Sequence, residues 1–179
     1  MFKKIIIALV VIVGVAAGVV AMQPADFTIT RSATVNAPPA EVFSQVNDFH
    51  KWQAWSPWAK LDPDAKNTFE GPSAGEGAIF KWSGNSQVGE GAMTLVESKP
   101  NDYIKIKLDF VRPFAASDVA NFTFKPEAGQ TQVTWTMSGQ KNFVCKAIGL
   151  CMNMDKMVGG EFEKGLAQMK TIAEATDKK

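Results

Sequence analysis

Two side chains offer ready proton chemistry in this chain, because its 179 residues include one histidine, His50, and one tyrosine, Tyr103. A Ser-His-Asp or Cys-His nucleophile would have to use His50, and no serine or cysteine sits in a motif that would activate it. His50 lies beside Lys51 and Trp52 in a short helical stretch, where an exposed imidazole is the ordinary finding. The two cysteines, Cys145 and Cys151, are badly spaced for a bridge within one regular helix. A disulfide would require a loop, which Gly149 permits, while the apolar neighbours Phe143, Val144, Ile148, Leu150 and Met152 suit two buried thiols. One histidine and two cysteines at this spacing do not make a zinc site, so neither metal nor other cofactor is expected. Gly75-Glu-Gly-Ala78 and Gly89-Glu-Gly-Ala92 resemble phosphate loops, but each leads into a strand, not a helix N-terminus. Bends that curve a sheet, with Glu76 and Glu90 in solvent, account for them better. No catalytic residue is assigned.

What the chain does supply is apolar surface. Phe80 and Trp82, Met93 and Leu95, Ile106 and Leu108, Phe122 and Phe124, and Trp135 and Met137 fall in alternating phase, followed by Phe162, Leu166 and Met169 at helical spacing. With Trp55, these are candidates for the wall of a ligand cavity, although the same residues would fill a solid core. Arg31 shares its phase with Phe27, Ile29, Ala33 and Val35 and not with the threonines of the same run. It either projects inward to meet an anionic headgroup or a buried carboxylate, or reaches water at the sheet edge. Trp52, Trp55 and Trp58 recur every third residue, a spacing that suits core packing, a pocket entrance or the membrane interface.

The elements that position these residues follow from composition and pattern. A chain of this length supports one core. With 46% hydrophobic and 21% charged residues it is globular, which excludes collagen, disordered tails and disulfide scaffolds. The formal charge of +1 includes Lys3 and Lys4. Without them the body carries one more acidic than basic residue, and its two arginines, Arg31 and Arg112, give no surface for a phosphate backbone, so nucleic acid is excluded as a partner.

Residues 5–22 carry no charge and no polar side chain, and as a helix they span about 27 Å against a hydrocarbon core of roughly 30 Å. That length favours an uncleaved anchor, while Val19-Val20-Ala21 would serve a signal peptidase. Gly14 and Gly18 form a GxxxG pair within the span. The lysines place the N-terminus in the cytoplasm and the body across a cell (inner) membrane, facing the periplasm or exterior. Cleavage would instead release it as a secreted or periplasmic protein. The expected division is a cytoplasmic N-terminus over residues 1–4, a transmembrane anchor or signal peptide over 5–22, a linker over 23–26, a domain over 27–175 and a frayed tail over 176–179.

Within the domain, alternation predicts a strand at 27–35, and Asn36-Ala37-Pro38-Pro39 stops it and starts a helix running to about Asn47. Residues 48–58 form a second short helical segment. Strands follow at about 67–70, 77–83, 88–98, 103–110, 116–125 and 131–138, separated by turn residues such as Pro100-Asn101-Asp102. An amphipathic helix from Met154 to Ile172 closes the chain, with Gly159-Gly160 and Gly165 marking a kink or a close backbone approach.

The detail of the sequence resembles a known superfamily. Phe27-Thr-Ile-Thr-Arg-Ser-Ala-Thr-Val-Asn-Ala-Pro-Pro-Ala-Glu-Val-Phe43 and Val46-Asn-Asp-Phe-His-Lys-Trp-Gln-Ala-Trp-Ser-Pro57 look like the opening of START-like, SRPBCC proteins of the polyketide cyclase/dehydrase and lipid-transport group. So do Trp82-Ser-Gly-Asn85, Thr131-Gln-Val-Thr-Trp-Thr-Met-Ser-Gly139 and Phe162-Glu-Lys-Gly-Leu166. The resemblance implies an α+β helix-grip (START-like) fold: a curved antiparallel sheet of about seven strands wrapped around a long C-terminal helix, with two short helices after the first strand. The resemblance makes a cavity expected, and together with the N-terminal span and the missing catalytic set it points to a membrane-anchored, envelope-facing domain that holds a lipid or other hydrophobic small molecule without chemistry. A cyclase-like enzyme is the alternative, recognisable if His50, Tyr103, Arg31 or Asp109 converge in the cavity. A module assisting another envelope protein is the third reading, and the oligomeric state stays open.

Overall fold

The computed structural model describes residues 2–176. Helix α1 (Phe2–Met22) is followed by strand β1 (Asp26–Val35), helix α2 (Pro39–Asn47) and the one-turn helix α3 (Trp52–Trp55), with 3-10 turns at Phe49–Lys51 and Pro57–Lys60. Six strands follow: β2 (Lys66–Glu70), β3 (Ile79–Ser83), β4 (Glu90–Lys99), β5 (Tyr103–Arg112), β6 (Ala116–Glu127) and β7 (Gln130–Gln140). Helices α4 (Phe143–Cys151) and α5 (Met154–Thr176) end the described chain. Of the expected frayed tail over residues 176–179, residue 176 ends α5 and residues 177–179 lie outside the described residues.

All seven strands form one antiparallel sheet in the order β1-β7-β6-β5-β4-β3-β2. Strands β2 to β7 are a meander, so each pairs with its neighbour in sequence. Strand β1 instead closes on β7, and the helical segment 39–60 carries the chain across to the far edge. Register shifts between Glu90 and Gly91 and between Leu95 and Glu97 bend β4 against β5. Gly89, just before the first shift, has φ +66°, and a Cβ there would strike the Arg112 carbonyl, so only glycine fits. The Gly-Glu-Gly motif therefore makes a sheet bend.

Helix α5 lies in the concave side of this sheet, against β1, α2 and α3. Its Phe162, Leu166, Met169 and Ala173 are buried at helical spacing. The glycines allow close approach: a side chain on Gly165 would crowd Trp135 and Pro57, and one on Gly159 would collide with the guanidinium of Arg31. Pro39 opens α2 within its first turn, and the Asn142 side chain caps α4 by accepting from the Cys145 N–H at 2.9 Å.

Helix α4 was not among the sequence expectations, which allowed a loop between the cysteines. It is apolar but faces outward: Phe143, Val144, Leu150 and the following Met152 are exposed, so they do not bury the Cys145 thiol. Cys145 is a free, half-buried thiol, and the side chain of Cys151 lies outside the described residues. Helix α1 is long and apolar enough to cross a membrane, and the end nearest the domain packs on α4 and buries Val20.

Candidate functional site

The inward side chains of the sheet divide along its length. Toward the α2 end, Leu95, Ile104, Ile106, Phe122, Phe124 and Val133 fill a solid core with Phe43, Phe49 and Trp55. Further along the same strands the interior opens into a cavity of about 430 Å³. Each strand contributes to both regions. Strand β5 passes from Ile104 and Ile106 in the core to Leu108 and Phe110 at the cavity, and β6 runs in reverse from Asp118 and Ala120 to Phe122 and Phe124.

Of the residues expected in a cavity wall, Phe80, Trp82, Met93, Leu108, Trp135, Met137 and Phe162 line it. Trp55, Leu95, Ile106, Phe122, Phe124 and Leu166 pack in the adjoining core. The indoles of Trp52 and Trp55 donate to the Val46 and Gln45 carbonyls, each at 3.0 Å, and both rings are buried. Trp55 is a packing residue, Trp52 packs in the core and also borders the cavity, and Trp58 borders the cavity with a half-exposed ring. Trp135 stacks on Phe162 at 4.0 Å and on Phe122 at 4.9 Å. This aromatic stack is the boundary between core and cavity.

Arg31 points toward α5 and lies outside the cavity lining. Its Nε donates to Glu163 Oε1 at 2.7 Å, and its Nη1 and Nη2 donate to Asp155 Oδ1 and Oδ2 at 3.1 and 3.0 Å. The missing side chain of Gly159 makes room for the guanidinium. The pairing raises the Arg31 pKa and lowers that of Asp155, chiefly through these hydrogen bonds. Arg31 thus finds carboxylates, but they are solvent-facing groups of the closing helix.

The remaining candidates for acid–base work are scattered. The imidazole of His50 stacks on Phe69 and its Nδ1 is 2.9 Å from Asp48 Oδ1. The Tyr103 hydroxyl donates to Asn121 Oδ1 at 2.7 Å, and burial raises its pKa. Asp109 accepts from Ser117 at 2.8 Å and pairs with Lys107, which hold its carboxyl below the usual range. His50, Tyr103, Arg31 and Asp109 do not converge, and none of them lines the cavity.

Among the polar residues of the cavity lining the most deeply buried is Asp118, which sequence reasoning passed over. It is 6% exposed, Oδ1 is shielded from solvent without a hydrogen-bond partner, and desolvation pushes the carboxyl up to about 6. Any side chain at position 139 would occupy the space of that carboxylate, so Gly139 makes the site. The signal was present in the period of β6, where Asp118 is in phase with Ala120, Phe122 and Phe124. The indole N–H of Trp135 is also buried and unpartnered.

An antiparallel sheet gripping a long helix, with an apolar cavity between them, defines the helix-grip class of α+β domains. Within that class, the family model described as "Polyketide cyclase / dehydrase and lipid transport" matches residues 26–174, and the chain belongs to this family. Among solved structures it is similar to protein CV1439 from Chromobacterium violaceum, at 14% identity and TM-score 0.60, covering 82% of this chain and 96% of that one. It is also similar to Aha1 from Colwellia psychrerythraea, solved as a dimer in solution, at 15% identity and TM-score 0.58, covering 83% and 96%. The third is the di-domain ARO/CYC StfQ from the steffimycin biosynthetic pathway, at 11% identity and TM-score 0.61, covering 85% of this chain and 52% of that one. At these identities the likeness concerns the fold. No curated protein sequence matches the chain.

Proposed function

We propose that this chain is a membrane-tethered, envelope-facing carrier that holds a lipid or other hydrophobic small molecule in its cavity without transforming it. The observation that carries the reading is the cavity itself: about 430 Å³ bounded by Phe80, Trp82, Met93, Leu108, Met137 and Phe162, within the usual range of small-molecule sites. A void of this size bounded by apolar side chains forgoes packing energy unless something fills it. The dispersal of His50, Tyr103, Arg31 and Asp109 favours binding over chemistry.

The tether reading rests on α1, with Lys3 and Lys4 before it and the soluble body after it. The connection from Met22 to Asp26 is too short to lift the domain from a bilayer. Phe114 is both exposed and part of the cavity wall, and Cys145 of α4 also lines it. The side of the cavity bounded by α4 therefore adjoins the end of α1, which suits loading from the membrane.

The test is to purify the full chain in mild detergent, strip it under denaturing conditions, and identify co-purifying molecules by mass spectrometry alongside native mass measurement of the intact protein. A hydrophobic molecule at near one per chain is expected. Repeated preparations that are empty and take up no added apolar probe would remove the carrier reading.

A further inference from the structure

Several charged groups of the domain have visible partners. Arg31 has Asp155 and Glu163, Arg112 has Glu90 at 2.8 Å, and Asp62 accepts from the backbone N–H of Asn85 at 2.6 Å. Asp118 makes no hydrogen bond and no ion pair among the described residues, although it is the most deeply buried acid of the cavity wall. The remaining ionisable groups lining the cavity are Asp62, Arg112, Lys141 and Cys145, and none bonds to Asp118. Gly139 leaves the space the carboxylate occupies, Ala116 and Ala120 flank it on the same face of β6, and Leu108 stands opposite it on β5. A buried, unpartnered carboxyl costs stability, and it is unusual to find one with room beside it.

We propose that Asp118 is the polar subsite of the cavity, and that the ligand is an apolar molecule whose buried end carries a hydrogen-bond donor, a hydroxyl or an ammonium group. The assignment rests on the carrier reading and adds to it the polarity of the bound end. A donor supplies the partner that the carboxyl lacks, whereas a carboxylate or phosphate at this end would set two acceptors of like charge against each other in a poorly solvated space. Fatty-acid anions and phospholipid headgroups are therefore disfavoured at the Asp118 end wherever its carboxyl is ionised.

The experiment uses the full chain in lipid nanodiscs, with calorimetric titration of three eight-carbon probes, octylamine, 1-octanol and octanoate, and of toluene as a donor-free apolar probe. At pH 7.5 the amine and alcohol should bind at least about tenfold more tightly than octanoate, the effect of one charge-assisted or buried hydrogen bond. Asp118→Asn, which keeps the shape and loses the charge, should bring the amine down by a similar factor and leave toluene unchanged, which shows that the cavity is intact. Lowering the pH to 5 should weaken the amine and spare the alcohol, and this separates the two donor classes. Octanoate binding as tightly as the amine to the native chain, or an unchanged preference in Asp118→Asn, overturns the assignment while the carrier reading stands. Saturable binding of none of the four, toluene included, overturns both.

Discussion

Asp118 is the buried carboxyl of the cavity lining. In the unfolded chain Asp118 ionises near 4, and in the folded domain burial pushes it up to about 6. The folded state therefore retains a proton that the unfolded state has already released. The contribution of Asp118 to stability is full below the unfolded value and is lost as pH rises through about 6. Asp118→Asn removes this slope. Urea unfolding of the detergent-solubilised chain should show the variant more stable by on the order of 1–2 kcal/mol at pH 7.5 and equal to the native chain near pH 3.5. The native residue would then be one retained at a cost in stability. It was legible in principle, because its phase with Ala120, Phe122 and Phe124 points it inward. Attention to His50 and Tyr103 as intrinsic proton carriers missed it, since what makes Asp118 chemically unusual is the absence of a side chain at Gly139, twenty-one positions away in sequence and adjacent in the sheet.

At the scale of elements, the closing helix is held by two devices. One is apolar, the stripe of Phe162, Leu166 and Met169; the other is the ion-paired contact of Arg31 with Asp155 and Glu163 over Gly159. Alanine at position 159 would evict the guanidinium and break the pairing. The thermal unfolding temperature of Gly159→Ala should fall by about 2–4 °C. In the double variant Arg31→Met, Gly159→Ala, the two losses should be less than additive, because both remove one contact. Additive losses would show that the glycine and the arginine act separately. The strands and the long helix were readable because alternation and helical spacing are strong local signals. Helix α4 was missed because Phe143–Cys151 is short and apolar almost throughout, with Lys146 its one charged residue. The chemical clue was its cap, Asn142.

For the whole molecule, the fold could be recognised from the sequence while the division between core and cavity could not. Leu95 and Met93, or Ile106 and Leu108, are equivalent in an alternating pattern. Which of them faces a void depends on where α5 stops filling the concavity and on the bends at Glu90/Gly91 and Leu95/Glu97. The outward apolar surface of α4 and Phe114 belongs to the same scale, because it acquires meaning only beside α1. A fluorophore at residue 148, placed by Ile148→Cys with Cys145 and Cys151 changed to serine, should be quenched by brominated lipid in nanodiscs holding the full chain. A label at exposed Lys125 on the opposite region of the sheet should remain bright. Equal brightness at both positions would place α4 away from the bilayer.

The connection between α1 and β1 consists of Gln23, Pro24 and Ala25, and even fully extended it reaches only about 10 Å. With α1 embedded, such a leash rules out ferrying cargo across an aqueous gap. The domain would search in two dimensions, at the pace of lateral diffusion, and a molecule it held would leave only by returning to the same leaflet or by contact with an acceptor that came to it. The acceptor would then have to supply the mobility in any transfer away from the membrane, and this chain would act as a fixed loading station.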